Sequence, residues 1–233
     1  MRVRSLAWTL ALSLLAPVAS GSVGGCKAAR EAAQGERAPL RARVRVAPVV
    51  ARDPWVMAFT THISIEQPEG LDARIEPRKG PAGRVQPEPV IEGERGALAD
   101  ALAAYSEVHT RPPRLVPVYA RGWNESGRKL LDRLYFIDAE TAIELDAEAT
   151  AGLREHPEGP LVHIYLGEGQ VPRLAEMTEA RVGEQIAIVV DEDVVMVPLV
   201  MEAIRGGELW VISNRGEDRE RESQALFERL TGT

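Results

Sequence analysis

A series of short apolar runs in the second half of the chain constrains the fold more than any other feature. Residues 161–166, 185–191 and 209–213 are rich in β-branched side chains, and each run predicts a strand. Between the first two, residues 171–181 repeat apolar side chains at helical spacing, which predicts a helix. After the run 185–191 the chain returns as a strand at 194–198, so hairpins are mixed with helices. This mixture predicts an α+β fold, with a mixed, largely antiparallel sheet and helices on one face.

The first half of the chain has a less regular pattern. Residues 55–66 alternate aromatic and β-branched residues with small ones and predict a strand. Residues 67–95 contain five of the sixteen prolines and many charges, so we expect a long irregular connection there, with room for short strands. Residues 98–105 have apolar side chains at helical spacing, which predicts a short helix that ends before Pro112.

Further elements are expected after this helix. Residues 115–120 and 133–138 should form a hairpin around the turn 123–127. Asp146 should cap a short helix that ends at residue 154, because its carboxylate can accept an unpaired backbone N–H. The remaining expectations are a return strand at 194–198, a tight turn at Gly206 and Gly207, and a closing helix at 217–230.

The N-terminus has the features of a signal peptide. Arg2 and Arg4 precede an apolar run at 6–19, which is fourteen residues long. A membrane-spanning helix needs roughly 20 apolar residues, so this run is too short to span. Residues 1–25 are therefore predicted to be a signal peptide of the lipoprotein type.

The single cysteine of the chain, Cys26, follows this run. Residues 23–26 read Val-Gly-Gly-Cys and resemble the bacterial lipobox, in which the cysteine is acylated and becomes the mature N-terminus. Acylated Cys26 would then attach the protein to a lipid bilayer. The alternative is an ordinary cleavage site near residues 19–21, with Cys26 an idle thiol.

Residues 26–50 are predicted to be a flexible basic tether. They contain six basic and two acidic residues, a net charge of +4, and no aromatic residue. Such a segment beside a lipid anchor can be attracted to anionic headgroups, or it can be a solvated spacer.

The overall charge and the motif search exclude several classes of function. The chain has 28 basic and 35 acidic residues, a net charge of -7, which argues against a nucleic-acid partner. One cysteine cannot build a disulfide framework or a cysteine zinc site. The phosphate-loop, zinc-protease and serine-hydrolase motifs are absent, and Pro172 ends the run that begins Gly167-Glu168-Gly169. No catalytic, cofactor or metal residue is therefore predicted.

Two weaker signals have structural interpretations. His62 and His163 fall in predicted strands, where a histidine is usually a hydrogen-bonded sheet residue. Asp191 and Asp193 have the spacing of a calcium loop, but Val195 occupies a position that needs an oxygen ligand. A solvated hairpin turn is the preferred interpretation.

The C-terminal half resembles a known family. The segments 161–166, 174–178 and 182–191, the last containing Gly183-Glu184-Gln185-Ile186-Ala187-Ile188-Val189-Val190-Asp191, occur in the order found in SecD. The strand 194–198, the Gly206-Gly207 turn and, upstream, residues 134–138 extend this order. Together, residues 134–230 resemble the head subdomain of SecD's first periplasmic domain. The chain departs from the family at Glu192 and Asp193 and has no counterpart of the SecD transmembrane helices.

The resemblance implies a SecDF head-like fold and a function in the bacterial cell envelope. Family members act in the Sec translocase and help to pull secreted chains outward. We therefore expect a lipid-anchored, non-catalytic module that faces the periplasm or the cell surface and contacts exported polypeptides or envelope proteins. The alternative is an envelope hydrolase or another enzyme without a recognisable motif. The expected organisation after the tether is an N-terminal α+β part, 51–133, and a head-like domain, 134–233.

A candidate contact surface lies in the uncharged apolar run 194–201. A half-buried strand needs only every second residue to be apolar, so this run is either covered on both faces or partly exposed. In the second case Met196, Leu199 and Met201 would offer an adaptable surface to unfolded chains.

Overall fold

The structure is a computed structural model of the chain, and it describes residues 37–79, 83, 85–121, 131–157, 159–211 and 219–233. All of them belong to one compact unit. The strands of this part are β1 (Arg37–Pro39), β2 (Val44–Pro48), β3 (Leu71–Lys79), β4 (Val85–Gly93), β5 (Leu115–Arg121), β6 (Asp132–Asp138), β7 (Ile143–Glu144), β8 (Thr150–Arg154), β9 (Leu161–Tyr165), β10 (Ile186–Val190), β11 (Asp193–Met196) and β12 (Glu208–Val211). The α-helices are α1 (Pro54–Glu66), α2 (Arg95–Val108), α3 (Val171–Glu179) and α4 (Arg219–Thr231).

These strands form two sheets. The smaller sheet has the order β1-β8-β9-β12, and the larger has the order β3-β4-β6-β5-β11-β10-β2-β7. Neighbouring strands of the described part pair antiparallel, except for the parallel pair of β11 and β5. The predicted α+β fold with a largely antiparallel sheet is confirmed, although its strands are divided between two sheets.

Two large hydrophobic clusters hold the elements together. We call the first the aliphatic core; its buried members are Val44, Val46, Ile143, Ala151, Val162, Ile164, Leu174, Ile186, Ile188, Val190, Val200, Leu209, Val211 and Leu230. We call the second the aromatic core; its buried members are Val56, Phe59, Ile63, Ala73, Ile91, Leu98, Leu102, Tyr105, Leu115, Leu134 and Phe136. Every residue of β10 is buried, because a third cluster covers its other face.

Most predicted elements of the second half are confirmed. Strands occupy 161–165, 186–190, 193–196 and 208–211, and helices occupy 171–179 and 219–231. The predicted hairpin is the antiparallel pair of β5 and β6, and the predicted helix at 98–105 lies within α2. The predicted turn at 123–127 lies outside the described residues.

The predicted strand at 55–66 is wrong, because this segment is helix α1. Asp53 caps the helix by accepting the Trp55 N–H at 2.9 Å, and Pro54 occupies the first turn, where its missing N–H removes no bond. The buried side chains include Val56, Phe59 and Ile63, which lie on one helical face against the aromatic core. Tertiary burial of this face outweighs the strand preference of its β-branched residues.

The irregular connection predicted at 67–95 is also wrong. Residues 71–79 and 85–93 form the hairpin of β3 and β4, and Pro77 lies opposite Pro87. The hairpin has a third proline, Pro89, opposite Ile75, so the three missing N–H groups fall at only two rungs of the ladder. Arg74 stabilises the hairpin by contacting Glu76 at 2.7 Å and Glu92 at 3.1 Å.

The short helix predicted from Asp146 to residue 154 is wrong as well. Residues 150–154 form β8, which pairs with β9 along its whole length. The Asp146 carboxylate does accept a nearby backbone N–H, that of Glu148 at 3.0 Å, but it closes a turn and does not begin a helix.

The tether predicted at 26–50 is contradicted over its described part. β1 and β2 lie between residues 37 and 50, and the Val46 side chain is completely buried. β2 pairs with β10, so alternate small apolar residues are covered although the segment is basic and lacks aromatics. Residues 1–36, including Cys26, lie outside the described residues, so the signal peptide and the lipid anchor stay predictions.

Two further observations concern the organisation of the chain. The division into 51–133 and 134–233 stays a prediction, and its boundary falls within β6. Within the described ranges, no helix has both the length and the apolar character needed to cross a membrane.

Candidate binding surface

The residues that the sequence predicts as a contact surface lie at the end of β11 and just after it. Met196 is the last residue of the strand and packs, half-buried, against the aliphatic core. Leu199 is also half-buried and pairs with Gln185 in an isolated bridge. Met201 has 37% of its surface exposed. The three side chains therefore differ, and Met201 is the most accessible of them.

A short ladder brings another apolar residue to this surface. Gly183 donates its N–H to the Val200 carbonyl at 2.8 Å, and Val200 donates to the Glu184 carbonyl at 2.8 Å. This pairing sets the segment that carries Val182 beside the segment that carries Met201. Val182 is 50% exposed. We call Val182 and Met201 the apolar patch.

The same ladder forms one wall of a cleft with a volume of about 340 Å³. The other walls are the connection between β2 and α1, the β3–β4 hairpin, and Arg114. The lining residues are Val49, Val50, Ala51, Arg52, Asp53, Pro54, Arg78, Gln86, Pro87, Glu88, Arg114, Arg181, Gly183, Glu184 and Gln185. A volume of this size is typical of sites that take a small molecule or a few side chains. Residues 183–185 line the cleft and directly follow Val182 in the chain, so the apolar patch adjoins the cleft.

Charged side chains dominate the lining of this cleft. Four arginines face three carboxylates, and each carboxylate is engaged by arginine. The ion pairs are Glu184 with Arg52 (3.0 Å) and Arg181 (3.1 Å), Glu88 with Arg78 (3.4 Å) and Arg133 (3.0 Å), and Asp53 with Arg114. The pairs hold the guanidinium groups in place and leave the lining with one excess positive charge.

The described lining does not assemble the parts of a hydrolytic site. It contains no histidine, serine, threonine or cysteine, and its carboxylates are held by arginines. Across the described ranges, no group of three or more His, Cys, Asp or Glu side chains is placed to hold a metal ion. The enzyme alternative therefore gains no support from this cleft.

The acidic turn between β10 and β11 is a cluster of ion pairs. Arg229 contacts Asp191 at 3.1 Å and Asp193 at 3.3 Å, and Arg95 pairs with Asp193 from helix α2. Partial burial disfavours the charged form of Asp193, but the hydrogen bond from Arg95 and the positive charges of Arg95, Arg229 and Arg121 together outweigh it and lower the pKa of this carboxyl. The turn is therefore present as predicted, with Asp191 and Asp193 paired with arginines.

The two histidines assigned to strands have different surroundings. His62 is an exposed residue of α1, so its assignment to a strand is wrong. His163 lies in β9 and is 3% exposed, but its Nδ1 has no hydrogen-bond partner in the described part of the chain. Burial, reinforced by Arg154, lowers the pKa of His163 to about 4. This ring is therefore neutral at pH 7.

Sequence analysis missed Val182, the cleft arginines and Trp210. Val182 had a weak signal, since it is a lone apolar residue in the turn before Gly183. Trp210 alternates with Leu209 and Val211 in β12, and this period of two could have placed it on the outer face. The cleft had no local signal, because its walls come from parts of the chain that are far apart in sequence.

Comparison with protein families identifies one segment of the chain. Residues 136–230 match the family described as SecDF, P1 head subdomain. No curated protein matches the sequence.

Several solved structures are similar to the chain at low sequence identity. One is SecDF, a membrane component that enhances protein export; it is 14% identical, with 81% of this chain and 92% of that chain covered and a TM-score of 0.32. A second is SecDF in a super-membrane-facing form, with 16% identity, 79% and 28% coverage, and a TM-score of 0.29. A third is SecDF from Thermus thermophilus, a translocon-associated membrane protein, with 15% identity, 82% and 29% coverage, and a TM-score of 0.31.

The chain thus spans less than a third of the length of the second and third SecDF chains. The matched family segment contains β9 to β12, α3 and most of α4, which are the elements that carry the sequence resemblance. The predicted resemblance over 134–230 is therefore confirmed: residues 136–230 of this protein are similar to the SecDF P1 head subdomain.

Proposed function

We propose that this protein is a non-catalytic binding module of the bacterial cell envelope that contacts unfolded, exported polypeptides. Acylated Cys26 anchors it to a lipid bilayer, and the folded part faces the periplasm or the cell surface. The similarity of residues 136–230 to the SecDF P1 head subdomain supports a place in protein export.

The observation that carries this proposal is the apolar patch beside the arginine-lined cleft. Val182 and Met201 are exposed by 50% and 37%, and residues 183–185 join them to the cleft. An unfolded chain presents apolar side chains and free backbone carbonyls at the same time. The patch can take the side chains, since Met is flexible and polarizable, and guanidinium N–H groups can donate to the carbonyls.

Charge substitution in the apolar patch tests this proposal. The variant Val182→Lys with Met201→Lys should weaken binding of reduced, carboxymethylated lactalbumin, an unfolded polypeptide, by about tenfold or more, because it loses apolar contacts. Binding can be followed by fluorescence anisotropy of the labelled polypeptide. Thermal unfolding should remain nearly unchanged, since both positions are exposed.

The matched control is Ile65→Lys with Val108→Lys, which changes two residues that are 72% and 76% exposed at the ends of α1 and α2. This control should bind like the wild type. Equal affinities for the patch variant and the control would contradict the proposal. Met196→Lys is unsuitable as a test, because Met196 packs against the aliphatic core and its replacement would also destabilise the fold.

The anchor requires a separate test. Cys26→Ser should prevent acylation, so the protein should move from the detergent-soluble membrane fraction to the soluble fraction. Mass spectrometry of the N-terminus checks the modification itself. Unchanged membrane retention together with an unchanged N-terminal mass would show that Cys26 carries no lipid.

A further inference from the structure

Among the described residues, strand β12 is an edge of the smaller sheet, and none of them bonds to the backbone groups on its outer side. It pairs with β9 in a register that sets Glu208 opposite Tyr165 and Trp210 opposite His163. Leu166 donates its N–H to the carbonyl of Gly207 at 2.9 Å in the same register. Leu166 and Gly207 are therefore a hydrogen-bonded pair, and bonded and non-bonded pairs alternate along an antiparallel ladder. Glu208 and Trp210 consequently belong to non-bonded pairs, and their N–H and C=O groups point away from β9.

The face of this sheet around Trp210 is aromatic. Trp210 is 40% exposed, and its ring packs against that of His163 with 4.7 Å between centroids and the ring planes tilted by 36°. Tyr165 lies on the same face and is covered by the Arg37 guanidinium at 3.6 Å. The opposite face carries Leu209 and Val211 into the aliphatic core. A side chain placed beside Trp210 would therefore meet a large apolar surface that is already in contact with the His163 ring.

The other strand edges of the described part are protected. β1 has three residues and ends in Pro39, and β7 has two residues. β3 is nine residues long, but it contains Pro77 and the charged network of Arg74. Short length, proline and charge all discourage the addition of another strand. β12 is four residues long and has one charged residue, Glu208, but it contains no proline and carries an exposed tryptophan.

We propose that β12 binds an extended polypeptide segment as an added strand, with an apolar side chain of the segment packed against Trp210. The outward groups of Glu208 and Trp210 are two residues apart, roughly 6.6 to 6.8 Å, which is the repeat of an extended backbone. Each of these residues offers one N–H donor and one C=O acceptor, which is the pattern that the backbone of an added strand pairs with. This inference rests on the proposed function and assigns a second contact for the same unfolded partner.

Hydrogen exchange on the mature protein tests the inference without a substitution. When reduced, carboxymethylated lactalbumin binds, exchange of the Glu208 and Trp210 amides should slow by about tenfold or more, because each N–H gains an acceptor. The amide of Ile75, in the protected edge strand β3, is the internal control and should not change. Bound polypeptide without protection of Glu208 and Trp210 would overturn the inference.

A pair of substitutions separates the backbone from the side chain. Trp210→Pro removes an N–H that makes no bond to β9 and should weaken polypeptide binding by about tenfold, whereas Trp210→Thr keeps the N–H and should weaken it less. Glu208→Pro should repeat the first effect at the neighbouring outward position. Affinities equal to that of the wild type for both proline variants would refute strand addition.

The outcomes distinguish this inference from the proposed function. If the wild type binds no unfolded polypeptide, both are wrong. If binding is lost in the Val182 and Met201 double variant but kept in both proline variants, the proposed function stands and strand addition is wrong. If the same amides become protected with increasing protein concentration alone, the occupant is a second copy of this chain and the polypeptide assignment is wrong.

Discussion

The aromatic core and the aliphatic core are built from different kinds of contact. In the aromatic core, Phe59 of α1 is the centre of a cluster of rings, with centroids 5.6 Å from Trp55, 5.1 Å from Tyr105 and 6.1 Å from Phe136. In the aliphatic core, many Val, Ile and Leu side chains from two sheets meet beneath α3 and α4. One core therefore depends on a few large rings, and the other divides its contacts among many smaller side chains.

This difference predicts unequal tolerance to the loss of one side chain. A ring that touches three other rings, one stacked, one tilted and one edge-to-face, leaves a large cavity and also loses these ring contacts when it is removed. A single aliphatic side chain among many neighbours leaves a smaller cavity, into which those neighbours can relax. The predictions below test or refine this contrast.

The largest effect is expected for Phe59→Ala. The side chain is completely buried, so its removal should lower the free energy of unfolding by about 3 to 5 kcal/mol. The matched variant is Leu174→Ala, which removes an equally buried helical side chain from the aliphatic core and should cost about 2 to 3 kcal/mol. Urea unfolding of both variants measures the difference, and a larger loss for Leu174→Ala would contradict the contrast.

The two cores also differ in how well the sequence predicts them. The strands of the aliphatic core are short runs of aliphatic residues, either alternating with polar ones or continuous. The ends of β9, β10 and β12 are therefore predicted to within two residues of their positions in the structure. In the aromatic core, α2, β5 and β6 are predicted, but helix α1 is missed because Trp55 to Glu66 contains many residues that favour strands. The start of helix α1 did have a local signal in Asp53 and Pro54, a cap residue followed by proline at the first helical position.

Other parts of the fold have no sufficient local signal. Asp146 favours a helix start and a turn equally well, and pairing of β8 with β9 decides between them. β2 is basic and lacks aromatics, and its burial depends on β10, about 140 residues further along the chain. The cleft and the outward position of Trp210 depend on such long-range pairing as well. Of the predicted contact residues, Met196 and Met201 differ in burial because the chain leaves the sheet between them.

Gly207→Val should have the second largest effect, on the border of the aliphatic core. Gly207 has a φ of +67°, which a β-branched residue adopts only under strain, and an added Cβ would lie 2.5 Å from a methyl carbon of Val171. We expect a loss of about 2 to 4 kcal/mol in the free energy of unfolding. Gly206→Val is the control, since a Cβ there meets no atom within 4 Å. Equal unfolding midpoints for the two variants would argue against the tight turn.

The pH dependence of stability should report on His163, which lies on the outer face of the smaller sheet. Its pKa in the folded state is lowered to about 4 by burial, so the unfolded chain takes up the proton first as the pH falls. Stability should therefore decrease between about pH 6.5 and pH 4, by about 2 kcal/mol once solvent screening is allowed for. In His163→Gln this decrease should largely vanish, whereas His62→Gln, at an exposed site, should keep it. Urea unfolding at pH 7 and pH 4.5 gives the comparison, and identical pH profiles for the two variants would contradict it.

The smallest effect concerns Asp53, which begins the helix of the aromatic core. One carboxylate oxygen caps α1 through the Trp55 N–H, and the other pairs with Arg114, so the residue has two separable functions. Asp53→Ala removes both and should cost about 1 to 2 kcal/mol, while Asp53→Asn keeps the capping oxygen and should cost about half as much. Trp55 lies in the first turn of α1 and packs on Phe59, so loss of the cap should also loosen the ring cluster. The near-ultraviolet circular dichroism of the aromatic residues should then weaken in Asp53→Ala and stay close to wild type in Asp53→Asn. Equal losses of stability in the two variants would assign the whole effect to the Arg114 pair and none to the helix cap.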